Sequence, residues 1–96
     1  MPTYARTARF DRDYDELSAE QRMKFKGAVR KSVHDLPTGQ FLPGLRVKGV
    51  QAAAGVFEMT WNADGRATFQ YGDQEVAGEP HIIWRRIGRH QILGEP

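Results

Sequence analysis

Two hydrophobic periods run through this chain, a helical one before position 37 and a strict alternation from position 45 onward. Phe25, Ala28, Val29, Ser32, Val33 and Leu36 fall on one helical stripe, which predicts an amphipathic helix over 21–36 docked on a sheet. Ser18-Ala-Glu-Gln21 has the capping-box spacing, in which Ser18 and Gln21 satisfy each other's backbone amides, so a helix should start there. Pro37 stops it, and the Pro and Gly residues of 37–44 make a loop. Ahead of the helix, weak alternation from Thr3 to Phe10 predicts a first strand at a sheet edge, and Asp11 to Leu17 reads as a capped helical turn.

From position 45 the period becomes two. Leu45 to Val50 and Val56 to Trp61 alternate and predict one hairpin; Asn62-Ala-Asp64-Gly65 is a turn with Gly65 placed for a positive φ, followed by a strand over Arg66 to Tyr71. Gly72 to Pro80 is a polar loop, and His81 to Ile87 the last strand. Alternation puts Phe57, Met59 and Trp61 on one side with Ala67, Phe69 and Tyr71, and puts Glu58, Thr60, Arg66, Thr68 and Gln70 on the other. Leu45 and Val47 should point inward, leaving Arg46 and Lys48 near Glu58 and Arg66 on the open face. In the last strand either Ile83 and Ile87 or Ile82 and Trp84 can be core, so Arg85 and Arg86 remain alternatives for the open face. The expected fold is α+β, with an N-terminal strand and one or two helices packed on a small, twisted, mostly antiparallel sheet of four to five strands.

Composition narrows what this fold can do. Ninety-six residues make one domain over 1–96, able to bury a single core. The absence of Cys excludes a disulfide framework, a Cys-based zinc site and a thiol nucleophile, and fits a reducing cytosol. No apolar run is long enough to span a bilayer and the first residues carry no signal-peptide pattern, so a soluble cytoplasmic protein is expected. His34, His81 and His90 lie in separate elements with no close acidic partner, which argues against a metal site. The net charge of +2 permits an anionic partner without demanding one. Arg22, Lys24, Lys26, Arg30, Lys31 and His34 read as the solvated outer face of the helix.

The C-terminal stretch carries the most suggestive chemistry. His81-Ile-Ile-Trp-Arg-Arg-Ile-Gly-Arg-His90 changes character at Gly88 and delivers Arg85, Arg86, Arg89 and His90 to one edge of the sheet. Arginine offers a permanent charge in a planar fork that matches phosphate oxygens, and histidine can pass a proton near neutrality.

Leu45-Arg-Val-Lys48 followed by Gly55-Val-Phe, then Gly65-Arg66-Ala-Thr-Phe-Gln-Tyr71 and Ile87-Gly88-Arg-His90, resemble in order and spacing the RelE/ParE superfamily of bacterial toxins. The resemblance spans nearly the whole chain and implies a RelE-like fold. The terminal His90 inclines it toward the mRNA interferase branch, which implies a metal-independent endoribonuclease that cleaves mRNA on the ribosome without a cofactor, held in check by a cognate antitoxin. The resemblance points to Arg66 and His90; the chemistry of cleavage then makes His90 the general acid, sets Arg66 with Arg85 or Arg86 and Arg89 on the phosphate, leaves Glu58 either as the base or as a structural ion-pair partner of Arg66, and has Arg46 and Lys48 positioning the RNA backbone. The third-strand lysines and terminal tyrosine of RelE itself are not matched, which favours a His and Glu arrangement over a lysine-based one. The alternative within the superfamily is a ParE-like toxin without nuclease activity that inhibits DNA gyrase.

Overall fold

The computed structural model describes residues 2–33, 35 and 45–96. His34, Leu36 and the loop expected at 37–44 lie outside the described residues. The elements run β1 (Thr3–Arg6), α1 (Ala8–Asp15), α2 (Ala19–Ser32), β2 (Lys48–Gly49), β3 (Val56–Thr60), β4 (Gly65–Gly72), β5 (His81–Arg89) and a C-terminal 3-10 helix (His90–Gly94). The strands form one sheet in the order β1-β5-β4-β3-β2, with β1 parallel to β5 and every other pair antiparallel. The expected α+β architecture is thus present.

The first strand is shorter than the alternation suggested because Thr7 ends it. Its hydroxyl accepts from the Phe10 amide at 3.1 Å and donates to the Arg85 carbonyl at 2.9 Å, so it caps α1 while docking the helix on β5. Phe10 therefore belongs to a two-turn helix rather than a strand, and is buried. The Ser18 capping box is present in full and opens α2 one residue later.

Both helices cover one face of the sheet. Phe10, Phe25, Phe69 and Trp84 meet there, Phe25 and Trp84 at 5.2 Å between ring centroids and Phe69 and Trp84 at 5.5 Å. Met59, Trp61 and Ala67 join this core as the alternation of β3 and β4 required, with Ala28, Leu45, Ile82 and Ile87, while Tyr71, expected on the same side, is exposed. Gly65 does not adopt a positive φ. It is needed because the Trp61 ring lies over it: a Cβ there would stand 2.6 Å from Trp61 Cε2.

In the last strand the alternative with Ile82 and Trp84 in the core holds in full, and the other holds for Ile87 but not Ile83. Thr68 pairs with Arg86 while Phe69 pairs with Trp84, so Arg85 is an extra residue, a β-bulge. The bulge shifts the alternation by one and lets Ile82, Trp84 and Ile87 all enter the core. Nor does the strand break at Gly88, since pairing continues to Arg89. Gly88 makes room for the chain that folds back over the second face: a Cβ there would lie 3.0 Å from Ile92 Cγ2. That buried isoleucine anchors the 3-10 helix.

The predicted strand over Leu45 to Val50 is reduced to two paired residues. Leu45 is buried as expected and Val47 packs against the core, but Arg46 has φ 48°, in the left-handed region. This turn separates Arg46 from Lys48.

Candidate functional site at the β3–β4 turn

The sheet register brings three of the expected residues to one corner. Arg66 pairs with Gly88 and Gly65 with Arg89, so the turn at 62–65 faces the end of β5, and His90 follows directly. Arg66 curls under this turn, donating through Nη1 to the Gly65 carbonyl at 3.0 Å and to those of Asn62 and Ala63 at 3.5 Å. These carbonyls fix the guanidinium while its remaining N–H donors have no partner among the described residues. Arg89 lies 3.7 Å from Asp64 of the same turn, both side chains largely exposed. His90 is exposed at the start of the 3-10 helix, and its ring makes no hydrogen bond or ion pair with any described residue.

Asp64 was not singled out by sequence reasoning, which took it for a turn residue. Only the register, which sets Gly65 opposite Arg89, reveals it as a carboxylate of this corner.

Arg85 and Arg86 are occupied otherwise. Arg86 forms a bidentate pair with Asp13 of α1, at 2.9 and 3.1 Å, and its Nη1 donates to the Glu95 carbonyl at 3.3 Å. The Asp13 hydrogen bond raises the Arg86 pKa above its already high ordinary value. Asp13 also accepts from the Ile87 amide at 3.2 Å, capping the edge of β5 beyond the end of β1. Arg85 donates to Gln70 Oε1 and, at 3.2 Å, to the Pro96 carbonyl. The choice between the two as the open-face residue dissolves, because both bind the C-terminal tail.

Glu58 keeps the face that alternation gave it, with Lys48 beside it as expected and Arg46 turned away. It pairs across the sheet with Thr68 and Lys48, is only 6 % exposed, and has Lys48 Nζ at 3.8 Å as its ion-pair partner. No arginine pairs with it among the described residues. Arg46 stands apart from this face, in a cleft between α2 and the β3–β4 turn.

Solved structures with this architecture share little sequence with it. No family model and no curated protein matches the chain significantly. A YoeB/ParE toxin from Agrobacterium tumefaciens superposes with a TM-score of 0.69 at 13% identity, over 92% of this chain and 98% of the other. The chain has the RelE/ParE toxin fold. The DinJ-YafQ toxin-antitoxin complex of E. coli gives 0.66 at 13% identity, over 96% of each chain. The RelB-RelE complex of Methanococcus jannaschii gives 0.61 at 12%, over 97% of this chain and 95% of that one. The RelE/ParE fold therefore persists where little sequence identity does, and the resemblance read from short motifs holds at the level of architecture.

Proposed function

We propose that the protein is the toxin of a toxin-antitoxin pair and acts as a metal-independent endoribonuclease on mRNA presented by the ribosome. The observation that carries this reading is the corner where Arg66, Arg89 and His90 surround the turn at 62–65, on a fold whose solved examples include toxins bound to antitoxins.

Cleavage without a metal uses the substrate's own 2'-hydroxyl. Its oxygen attacks the adjacent phosphorus, the bond to the 5'-oxygen breaks, and the products are a 2',3'-cyclic phosphate and a 5'-hydroxyl. One group must take the 2' proton, another must give a proton to the leaving oxygen, and cations must hold the charge that builds on the phosphorane. His90 is the proton donor in this reading. Arg66, pre-set by three carbonyls, and Arg89 hold the phosphate. Asp64 takes the base role first assigned to Glu58, because it is exposed at the corner, whereas Glu58 is buried and paired with Lys48. Arg85, Arg86 and Glu58 support the sheet and tail beneath the corner. Lys48, exposed on the same face, positions RNA.

The partners that follow are a cognate antitoxin and the ribosome, and the reading places the protein in the cytoplasm. The test incubates a reporter mRNA with the purified protein, with and without ribosomes, comparing wild type with Arg66→Ala and Asp64→Asn. Cleavage in the ribosome lane that drops at least tenfold in both variants is the expected result. An intact message in every lane, together with loss of gyrase supercoiling activity, would transfer the protein to the ParE-like reading.

A further inference from the structure

The outer face of α2 is not uniformly solvated. Lys24, Gly27, Ala28 and Lys31 form one wall of a cleft of about 740 Å³, closed on the other side by Leu45, Arg46, Thr60, Trp61, Asn62 and Ala63. Among the described residues three cations line it and no carboxylate does. Lys24 has an ion pair one turn back with Glu20, at 3.3 Å, whereas Lys31 and Arg46 have none among the described residues. Trp61 is buried in its wall, with an indole N–H that no described group accepts.

Two features of the backbone are hard to explain by folding alone. Gly27 sits in the middle of α2, where glycine weakens a helix relative to alanine. Packing does not require it, since a Cβ at this position would meet nothing within 4 Å. Its missing side chain leaves the space between Lys24 and Lys31 open. Arg46 is held in the left-handed region, where a residue with a Cβ is disfavoured, and this conformation directs the chain so that Arg46 joins the cleft instead of the strand face beside Lys48.

The cleft adjoins the proposed site. Asn62 and Ala63 line it on one side, and the carbonyls of the same two residues bind Arg66 on the other. Thr60, also in its wall, is the pairing partner of Arg66.

We propose that this cleft is a second subsite for the substrate, holding phosphates of the single RNA strand beyond the linkage seated at Arg66 and His90. Lys24, Lys31 and Arg46 supply the charge, and Gly27 supplies the room for a sugar-phosphate backbone to approach the helix. The cleft adds affinity for length without reading bases, because its groups address phosphate. The inference rests on the ribonuclease reading.

The test measures binding of 2'-O-methyl RNA, which lacks the attacking hydroxyl, as a dinucleotide and as an octanucleotide. Wild type is compared with Lys31→Ala/Arg46→Ala, Gly27→Gln and Arg66→Ala across a range of salt concentrations. The double variant should bind the octanucleotide at least fivefold more weakly, with a salt slope lower by about 1.4, the value for two lost phosphate contacts on a single strand. Gly27→Gln, which keeps every charge and favours the helix, should lose a similar factor while its Tm holds or rises. Dinucleotide binding should change only in Arg66→Ala. Unchanged octanucleotide affinity and slope in the cleft variants, with RNA still cleaved by wild type, would overturn the cleft alone. Variants that keep RNA but release an acidic antitoxin would assign the cleft to that protein instead. A wild type that neither binds nor cleaves RNA would overturn both readings.

Discussion

The two halves of β5 are held by different forces. Up to Trp84 the strand lies between β1 and β4, with Ile82 and Trp84 buried among the rings of Phe10, Phe25 and Phe69. Past the bulge at Arg85 no strand pairs on the β1 side among the described residues. There Asp13 takes the Ile87 amide and the Arg86 fork, while the returning tail is gripped by Arg85, Arg86 and Arg9. Hydrophobic burial fixes the first half; in the second, charge-assisted hydrogen bonds add to the burial of Ile87 and Ile92. The difference places exposed, chemically useful groups at the end of a strand whose beginning is anchored in the core.

Removing the anchor should have the largest effect. Trp84→Ala empties a core position, for which a loss of about 3–5 kcal/mol is expected, a large share of the total stability of a small domain. Thermal unfolding followed by circular dichroism checks this, and a Tm within a few degrees of wild type would deny that the first half rests on burial.

Asp13→Ala comes next. The Asp13 and Arg86 side chains are 15% and 16% exposed, so the variant strands a partly buried guanidinium and an uncapped strand amide. A loss of about 2–4 kcal/mol is expected, below that of a fully buried pair because some solvent reaches it. For a domain of this size that corresponds to a Tm lower by roughly 10–25 °C. Asp13→Asn, which keeps the shape and one acceptor, should recover part of the loss.

A smaller effect separates the tail from the strand. Gly88→Ala puts a methyl 3.0 Å from Ile92 and should loosen the 3-10 helix at a cost of about 1 kcal/mol. Limited proteolysis should then cut after residue 89 sooner than in wild type, with the remainder of the sheet protected.

The smallest effect is a pH dependence. The Arg9 guanidinium, 2.7 Å away, holds the Glu95 carboxylate below its ordinary pKa. A depressed carboxylate contributes stability above its unfolded pKa and loses it as the pH falls through the folded value. Tail anchoring through Glu95 should therefore be constant from neutrality to about pH 5 and fade only in more acid solution. The Tm difference between wild type and Glu95→Gln should shrink over that acid range, and a difference that grows there would reverse the sign.

How much of this was legible follows the same division. The faces of β3 and β4 and the start of α2 could be read from local signals, because alternation and a capping box act over a few residues. The bulge could not, since a single extra residue in an apolar run leaves no mark until the partner strand is known. The grip of Asp13 on Arg86 joins residues far apart in sequence, as does that of Asp64 on Arg89, and charge alone does not say which carboxylate meets which arginine. Arg46 was misplaced because the alternation of 45–50 continues smoothly through a residue whose backbone turns left-handed. The lysines of α2 looked like an ordinary solvated face until the turn at 62–65 was seen to close a cleft over two of them.

The most direct test of the proposed site is the chemistry of the cut ends. RNA fragments released on the ribosome by wild type should carry 2',3'-cyclic phosphate and 5'-hydroxyl termini, and His90→Ala, folded with an unchanged Tm, should release them at least a hundredfold more slowly, as loss of a general acid predicts. Fragments bearing 5'-phosphate, or a folded His90→Ala protein that cuts as fast as wild type, would contradict the account.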